Sequence, residues 1–138
     1  MPRRATRALL LVVLAQCAHS VEEYVTRLYD VFAPARFVSG LFTDSLPVGF
    51  AFANATLVAF GVWCWAVPAR RRWSFAATLA WGWALLELAN GTGHLLLALG
   101  RGGYFPGAAT APLLVAAGAW LAVTLRRDDR RIDGDAAR

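Results

Sequence analysis

Residues 8–25 read ALLLVVLAQCAHSVEEYV, an apolar run that leads without a break into a charged motif. A helix needs about 20 mainly apolar residues to cross roughly 30 Å of hydrocarbon, and this stretch approaches that length. Three further apolar stretches follow, at about 47–67, 73–99 and 109–125. The sequence therefore predicts an all-α fold, an integral membrane bundle of four helices.

The composition supports lipid rather than water as the solvent for most of the chain. Of the 138 residues, 58% are hydrophobic and 17% are charged, and the mean hydropathy is +0.47. This leaves too little polar surface for a soluble domain. We predict one transmembrane domain over residues 1–125 and a charged cytoplasmic tail over 126–138.

The basic residues predict the orientation of the bundle. All 14 are arginine, a usage typical of GC-rich genomes, and three clusters of them fall on one side of a four-span bundle. The clusters are Arg3, Arg4 and Arg7; Arg70, Arg71 and Arg72; and Arg126, Arg127, Arg130, Arg131 and Arg138. Since positive flanks stay in the cytoplasm, both termini are expected there, in a multi-pass protein of a bacterial plasma membrane. Because the clusters flank apolar runs, they indicate lipid headgroups as partners and no nucleic acid.

The start of the chain allows a second interpretation. Its charged and then apolar residues also have the form of a secretory signal, and residues 14–17, LAQC, resemble a lipoprotein cleavage box. Cleavage would leave three spans with an unfavourable arginine balance, so a retained span is preferred. Cys17 and Cys64 lie in apolar segments at no metal or redox spacing, and are expected to be buried thiols.

The first span carries a polar motif near its outer end. His19, Glu22 and Glu23 are spaced i, i+3 and i+4, which brings the three side chains to one face of a helix. Ionisable groups in hydrocarbon are costly and usually face the interior of a bundle, where they have a partner or a function. These residues are therefore the first half of a candidate site.

The third span supplies the second half. Glu87, Asn90 and His94 are spaced i, i+3 and i+7 and form one stripe. The first and third spans run in the same direction, and both polar groups lie in the last turns before the outer loops. We expect the two groups to meet at one level.

Imidazole and carboxylate together suit a divalent first-row metal such as Zn, Fe or Mn. The predicted ligands of a mononuclear site are His19, Glu23, Glu87 and His94. A carboxylate that is not needed as a ligand, from Glu22 or Glu23, is the candidate general base. The alternative is a hydrogen-bonded network that only holds two helices together.

Further polar residues are candidate substrate contacts or supports for the metal ligands. Asn54 in the second span and Asn90 in the third can donate hydrogen bonds into the site. Arg101 and Tyr104 follow the third span closely enough to cap the site from outside.

Taken together, these motifs resemble those of the HXXEE family of small multi-pass membrane proteins. The similarity comprises HSVEE at 19–23, NGTGH at 90–94, YFPG at 104–107 and Thr110. It implies a membrane protein in which these positions form a functional set. It implies no substrate, because the family is described by its motif and not by an activity.

The preferred hypothesis is a metal-dependent membrane enzyme, either a hydrolase or an oxidoreductase, that acts on a lipid or another apolar small molecule. A proton-coupled transporter or ion conduit is the second hypothesis, with Glu23, Glu87 and His94 as the relay. A structural membrane subunit with a polar helix contact is the third. The sequence does not decide the oligomeric state.

Overall fold

The computed structural model describes residues 1–136, and describes side chains as far as Asp128. The described chain is all-α, as predicted, and has no strand. Its helices are α1 (Arg3–Val25), α2 (Leu28–Val31), α3 (Ala33–Gly40), α4 (Leu46–Cys64), α5 (Ala76–Arg101) and α6 (Ala111–Ala136). Side chains of the predicted tail beyond Asp128, and residues 137–138, lie outside the described part.

Each of the four long helices contains most of one apolar stretch of the sequence. α4 continues into a π-helical turn, Trp65–Ala69, that contains Pro68. Proline lacks the N–H that an α-helical hydrogen bond needs, so the regular helix ends near this position. At the other end of the bundle, Gly102 adopts a left-handed conformation with φ +66° and ends α5.

α1 lies at the centre of the bundle. It packs against α4, α5 and α6, and α5 and α6 form the most extensive helix contact, whereas α4 has few contacts with α5. Leu9 and Val12 of α1 are fully buried together with Leu114 and Leu121 of α6. The central position of α1 brings its polar motif within reach of the other long helices.

Two helical segments in the described chain are long and apolar enough to cross a membrane, Arg3–Val25 and Leu46–Ala69. Both coincide with predicted spans. α5 is equally long, but its polar site residues reduce its apolar character, and α6 continues into the charged end of the chain. The bundle of four spans therefore stays a prediction for α5 and α6.

The segment between α1 and α4 contains the two short helices α2 and α3, where the sequence indicates only a connecting loop. Leu28 and Tyr29 of α2 pack with Phe50 of α4 and with Phe105 from the α5–α6 turn. This apolar cap covers the end of the bundle that carries the polar motifs.

The α5–α6 pair owes its close approach to Gly91. A Cβ atom at this position would lie 2.7 Å from the backbone oxygen of Ala111 and 2.9 Å from Val115 Cγ2. Both distances are shorter than ordinary van der Waals contacts. Gly93, two residues further along α5, has open space around its Cβ position.

The variant Gly91→Ala is expected to lower the free energy of unfolding by about 1–3 kcal/mol, because the added methyl forces α5 and α6 apart. Gly93→Ala is the matched control. It should be neutral or stabilising by up to about 1 kcal/mol, since alanine is the better helix former. Thermal unfolding in detergent, followed by circular dichroism, measures both variants. Equal destabilisation of the two would contradict this account of the helix contact.

Candidate metal centre

Three of the predicted site residues converge near the C-terminal ends of α1 and α5. Oε1 of Glu23 lies 3.2 Å from Nε2 of His19 and 3.1 Å from Nε2 of His94. The two imidazole rings are nearly perpendicular, with centroids 4.7 Å apart. All three residues are buried. One ligand atom from each lies within 4.8 Å of the others, which forms a group able to hold a metal ion.

The opposite nitrogen of each histidine is fixed by a hydrogen bond. Nδ1 of His94 lies 2.6 Å from the backbone oxygen of Pro106, which can only accept, so Nδ1 carries the proton. Nδ1 of His19 lies 2.7 Å from the Thr110 hydroxyl. That hydroxyl donates its own hydrogen to Glu22, so His19 Nδ1 is again the donor. In neutral histidines, both Nε2 atoms therefore present a lone pair to Glu23.

Three acceptors that face one another need a cation or protons between them. Nε2 of His19 is buried and has no hydrogen-bond partner, although Oε1 of Glu23 is 3.2 Å away. Two ligand atoms about 2.1 Å from a tetrahedral zinc ion lie about 3.4 Å apart, close to the spacing observed here. Metal-binding histidines also usually donate their other ring N–H to an oxygen. The donor set and its geometry fit a divalent metal.

Glu22 faces the α5–α6 turn instead of the two histidines. Its Oε1 accepts from the Tyr104 hydroxyl at 2.5 Å and from the Ala109 amide at 3.0 Å. Its Oε2 accepts from the amide of Thr110 at 2.7 Å and from the hydroxyl of Thr110 at 2.5 Å. Burial and the bond to Glu22 raise the pKa of the Tyr104 phenol. Glu22 thus ties the end of α1 to the start of α6.

The turn between α5 and α6 forms a lid over the histidines. Gly107 has φ +90°, and a Cβ atom there would lie 2.5 Å from Nδ1 of His94 and 2.8 Å from Cε1 of His19. Phe105 is fully buried, with its ring centroid 5.5 Å from that of His94. The backbone of the turn and one aromatic ring therefore shield the cluster.

Glu87 is not in the group of potential ligands, although it was predicted as the fourth. Its carboxylate is fully buried and lies 2.9 and 3.1 Å from the side-chain amide of Gln16. The other end of that amide lies 3.0 Å from the Ser20 hydroxyl, which donates to Oδ1 of Asn54 at 2.7 Å. Glu87 and Asn54 thus belong to a polar chain that links α5, α1 and α4 beside the cluster.

The remaining predicted contacts have separate positions. Asn90 is half-buried and lines a cavity between α4 and α5 together with His94. The guanidinium of Arg101 lies 4.8 Å from the centre of the Phe105 ring, and it donates to the backbone oxygen of Val31 at 3.5 Å. Tyr104 reaches the site only through Glu22.

A model of the family described as "Protein of unknown function with HXXEE motif" matches residues 10–121. The chain belongs to this family. No curated protein and no solved structure matches the chain. The matched range contains both histidines, the glutamates of the motif and the turn that covers them.

In this HXXEE protein, the three ionisable residues of the motif have different contacts. His19 and Glu23 are the potential metal ligands, one helical turn apart on α1. Glu22 holds the α5–α6 turn, and through Thr110 it fixes the ring of His19. The motif therefore combines two ligands with the anchor of the segment that orients one of them.

The groups that hold and cover the two histidines could not be recognised from the chemistry of side chains in the sequence. The Pro106 carbonyl is a backbone atom and leaves no signature in the sequence. Gly107 and Thr110 entered only through the family resemblance, without a role. A glycine two residues after an aromatic, in a turn next to a predicted ligand, is the signal that indicates a close backbone approach.

Thr110→Val is expected to lower metal affinity about 10- to 100-fold, the usual cost of removing a group that orients a histidine ligand. Valine keeps the shape of threonine but cannot bridge His19 and Glu22. Thr124→Val in α6 is the control, because the Thr124 hydroxyl donates to the Trp120 carbonyl one turn earlier in the same helix. Titration with a competing chelator measures both affinities. Equal affinities would show that the Thr110 bridge does not support the site.

Proposed function

We propose that this HXXEE protein is an integral membrane enzyme that holds one divalent metal ion, Zn, Fe or Mn, and acts on a lipid or another apolar substrate. One observation carries the proposal. The lone pairs of His19 and His94 converge with a carboxylate oxygen of Glu23 in a buried site, and each histidine is held from behind by an oxygen atom.

The ligand set suits catalysis better than a purely structural metal site. Three protein ligands leave at least one coordination position for water or substrate, as in catalytic zinc sites, whereas structural sites are closed by four ligands. Two histidines and one carboxylate also form the ligand set of non-haem iron oxygenases. A metal at this site would lower the pKa of bound water and polarise a substrate oxygen. An iron ion would instead supply the oxidation chemistry of non-haem iron oxygenases. Hydrolase and oxidoreductase are both consistent with this set.

The surrounding residues position the ligands and exclude water. Pro106 and Thr110 hold the two imidazoles in the tautomer that can bind metal. Phe105 and the backbone at Gly107 cover the cluster on its outer side. Glu22 has four hydrogen bonds, which favour a positioning role over the general base predicted from the sequence, and that catalytic assignment stays a prediction.

The membrane setting belongs to the same proposal. Two helices meet the length and composition of membrane spans, and the arginine clusters favour four spans with both termini in the cytoplasm. In that orientation, the group of His19, Glu23 and His94 would lie near the outer face of a bacterial plasma membrane. Apolar substrates would reach it from the bilayer.

Metal analysis of the full chain, purified in mild detergent, tests the proposal. After loading with saturating Zn²⁺, Mn²⁺ or anaerobic Fe²⁺ and removal of unbound metal by dialysis, about one ion per chain is expected, because the three ligands form a single mononuclear site. Glu23→Gln preserves shape but removes the carboxylate ligand, and should reduce the bound metal at least about tenfold. Glu22→Gln removes only the support that reaches His19 through Thr110, so it should bind metal more weakly than the wild type but still reach about one ion per chain at saturation.

A folded preparation without metal above background would defeat the proposal. The proton conduit and the structural subunit would then replace it, and proton flux into liposomes that contain the protein would separate the two. Equal metal loss in both glutamine variants would contradict the separate roles assigned to Glu22 and Glu23.

A further inference from the structure

A cavity of about 430 Å³ lies between α4 and α5 and reaches the group of potential metal ligands at His94. We call it the α4–α5 groove and define it by Phe32, Leu57, Leu86, Gly93, His94 and Leu97. Its size is within the range of small-molecule sites in proteins. His94 is thus both a potential metal ligand and part of a cavity wall.

One face of α5 forms most of the groove. The lining positions from Leu86 to Leu97 follow the three- and four-residue spacing of a helical face. At a rise of 1.5 Å per residue, these positions extend over roughly 16 Å. The groove is therefore elongated along the helix, which suits a chain more than a compact molecule.

The groove is apolar except at one level. Leu57 and Leu86 line its inner part, and Phe32 and Leu97 line its outer part. Between them, Asn90 contributes a side-chain amide one helical turn before His94, whereas the amide of Gln16, which also lines the groove, contacts Glu87 and Ser20. An occupant with a long apolar part and a single polar group would match this distribution.

The surroundings of α4 indicate where the occupant comes from. α4 exposes large apolar side chains, including Phe52, Phe60 and Trp63, and it belongs to a segment that is long and apolar enough to span a membrane. It has few contacts with α5. In a bilayer, the gap between these two helices would therefore face the hydrocarbon core, which consists of the acyl chains of the lipids.

We propose that the α4–α5 groove binds an acyl chain of a membrane lipid and holds the bond next to its polar group beside His94. This assignment names the substrate class of the metal-dependent enzyme proposed above and rests on that function. The groove supplies apolar contact along the chain, and the side-chain amide of Asn90 can donate to an ester or carboxyl oxygen one helical turn from His94.

A second apolar cavity provides an internal comparison. It has about 300 Å³ and lies between α1 and α4, where Cys17, Tyr24, Phe50 and Ala55 contribute to its walls. None of the three potential metal ligands lines it. Lipid that adheres without specificity should label this cavity as well as the groove.

Photolabelling of the full chain in phosphatidylcholine nanodiscs tests the assignment, with a diazirine-bearing fatty acid as the probe. Peptide mapping by mass spectrometry locates the label, and metal content is measured on the same samples. Gly93→Phe should fill the groove without a clash at Cβ, because the space there is open. Gly82→Phe is the matched control on α5, since its Cβ position is also open and it lines neither cavity.

Wild-type protein is expected to carry label on Leu57, Leu86 and Leu97. Gly93→Phe should reduce this label at least about fivefold, as expected for a filled ligand cavity, while Gly82→Phe and the metal content of both variants stay unchanged. Label divided equally between the two cavities and insensitive to Gly93→Phe, in a metal-loaded protein, overturns the groove assignment and leaves the metal site intact. Label confined to the groove in a metal-free protein overturns the proposed enzyme, and with it the substrate assignment.

Discussion

Replacing His94 with alanine is expected to remove most of the stabilisation that metal gives to the wild-type protein. A ligand present at about 1,000 times its Kd stabilises the folded state by about 4 kcal/mol. Loss of one of three ligands should weaken binding by more than about 100-fold, since even orienting groups account for 10- to 100-fold. Thermal unfolding with saturating metal and with a chelator should give well-separated midpoints for the wild type and at most about a third of that separation for His94→Ala, because at 10 times its Kd the ligand stabilises by only about 1.4 kcal/mol.

Asn90→Ala is the control for this experiment. Asn90 lies one turn before His94 on α5 and lines the same groove, but it is not in the ligand group. It should retain the full metal-dependent shift. A hydrogen-bonded network of histidines and Glu23 without metal would give a different result, because the chelator would leave the wild-type midpoint unchanged.

Gly107→Ala is expected to have the second large effect. The new Cβ atom would lie 2.5 Å from Nδ1 of His94 and 2.8 Å from Cε1 of His19, so the turn or both rings must move. The left-handed backbone adds roughly 1–2 kcal/mol of strain for a residue with a side chain. Displacement of two ligands should lower metal affinity by at least about 100-fold.

Gly102→Ala separates the strain from the clash. Gly102 is also left-handed, with φ +66°, but nothing lies within 4 Å of its Cβ position. It should lose only the conformational part, about 1 kcal/mol of stability, and keep wild-type metal affinity. Chelator competition and thermal unfolding of the two variants give both quantities. Similar metal affinities would show that the turn does not approach the histidines as described.

The helical spacing of polar residues was sufficient to bring His19, Glu23 and His94 into one proposal, and the structure brings these three together. The spacing did not reveal that Glu87 is separate. Glu87 and His94 are seven residues apart, or about 10.5 Å along α5, and in the structure the Glu87 carboxylate contacts Gln16 and lies outside the ligand group. His19 and Glu23 are one turn apart on one face, and both can reach one ion.

Glu22 illustrates the limit of such spacing. It shares a face with His19, but it diverges from Glu23 by about 100° around the helix. The direction alone does not say which neighbour it meets. Its contacts with Tyr104, Ala109 and Thr110 depend on where the α5–α6 turn lies, and that position results from the close packing of α6 against Gly91.

The sequence by itself determined the all-α architecture, the places of the four long helices and the polar residues that have to face inward, because apolar length and helical periodicity are local properties. Only the tertiary structure decided which carboxylate joins the histidines, which one anchors the turn, and that a carbonyl at Pro106 and a bare backbone at Gly107 complete the site. These features depend on atoms brought together from distant parts of the chain, and backbone atoms are the same in every sequence.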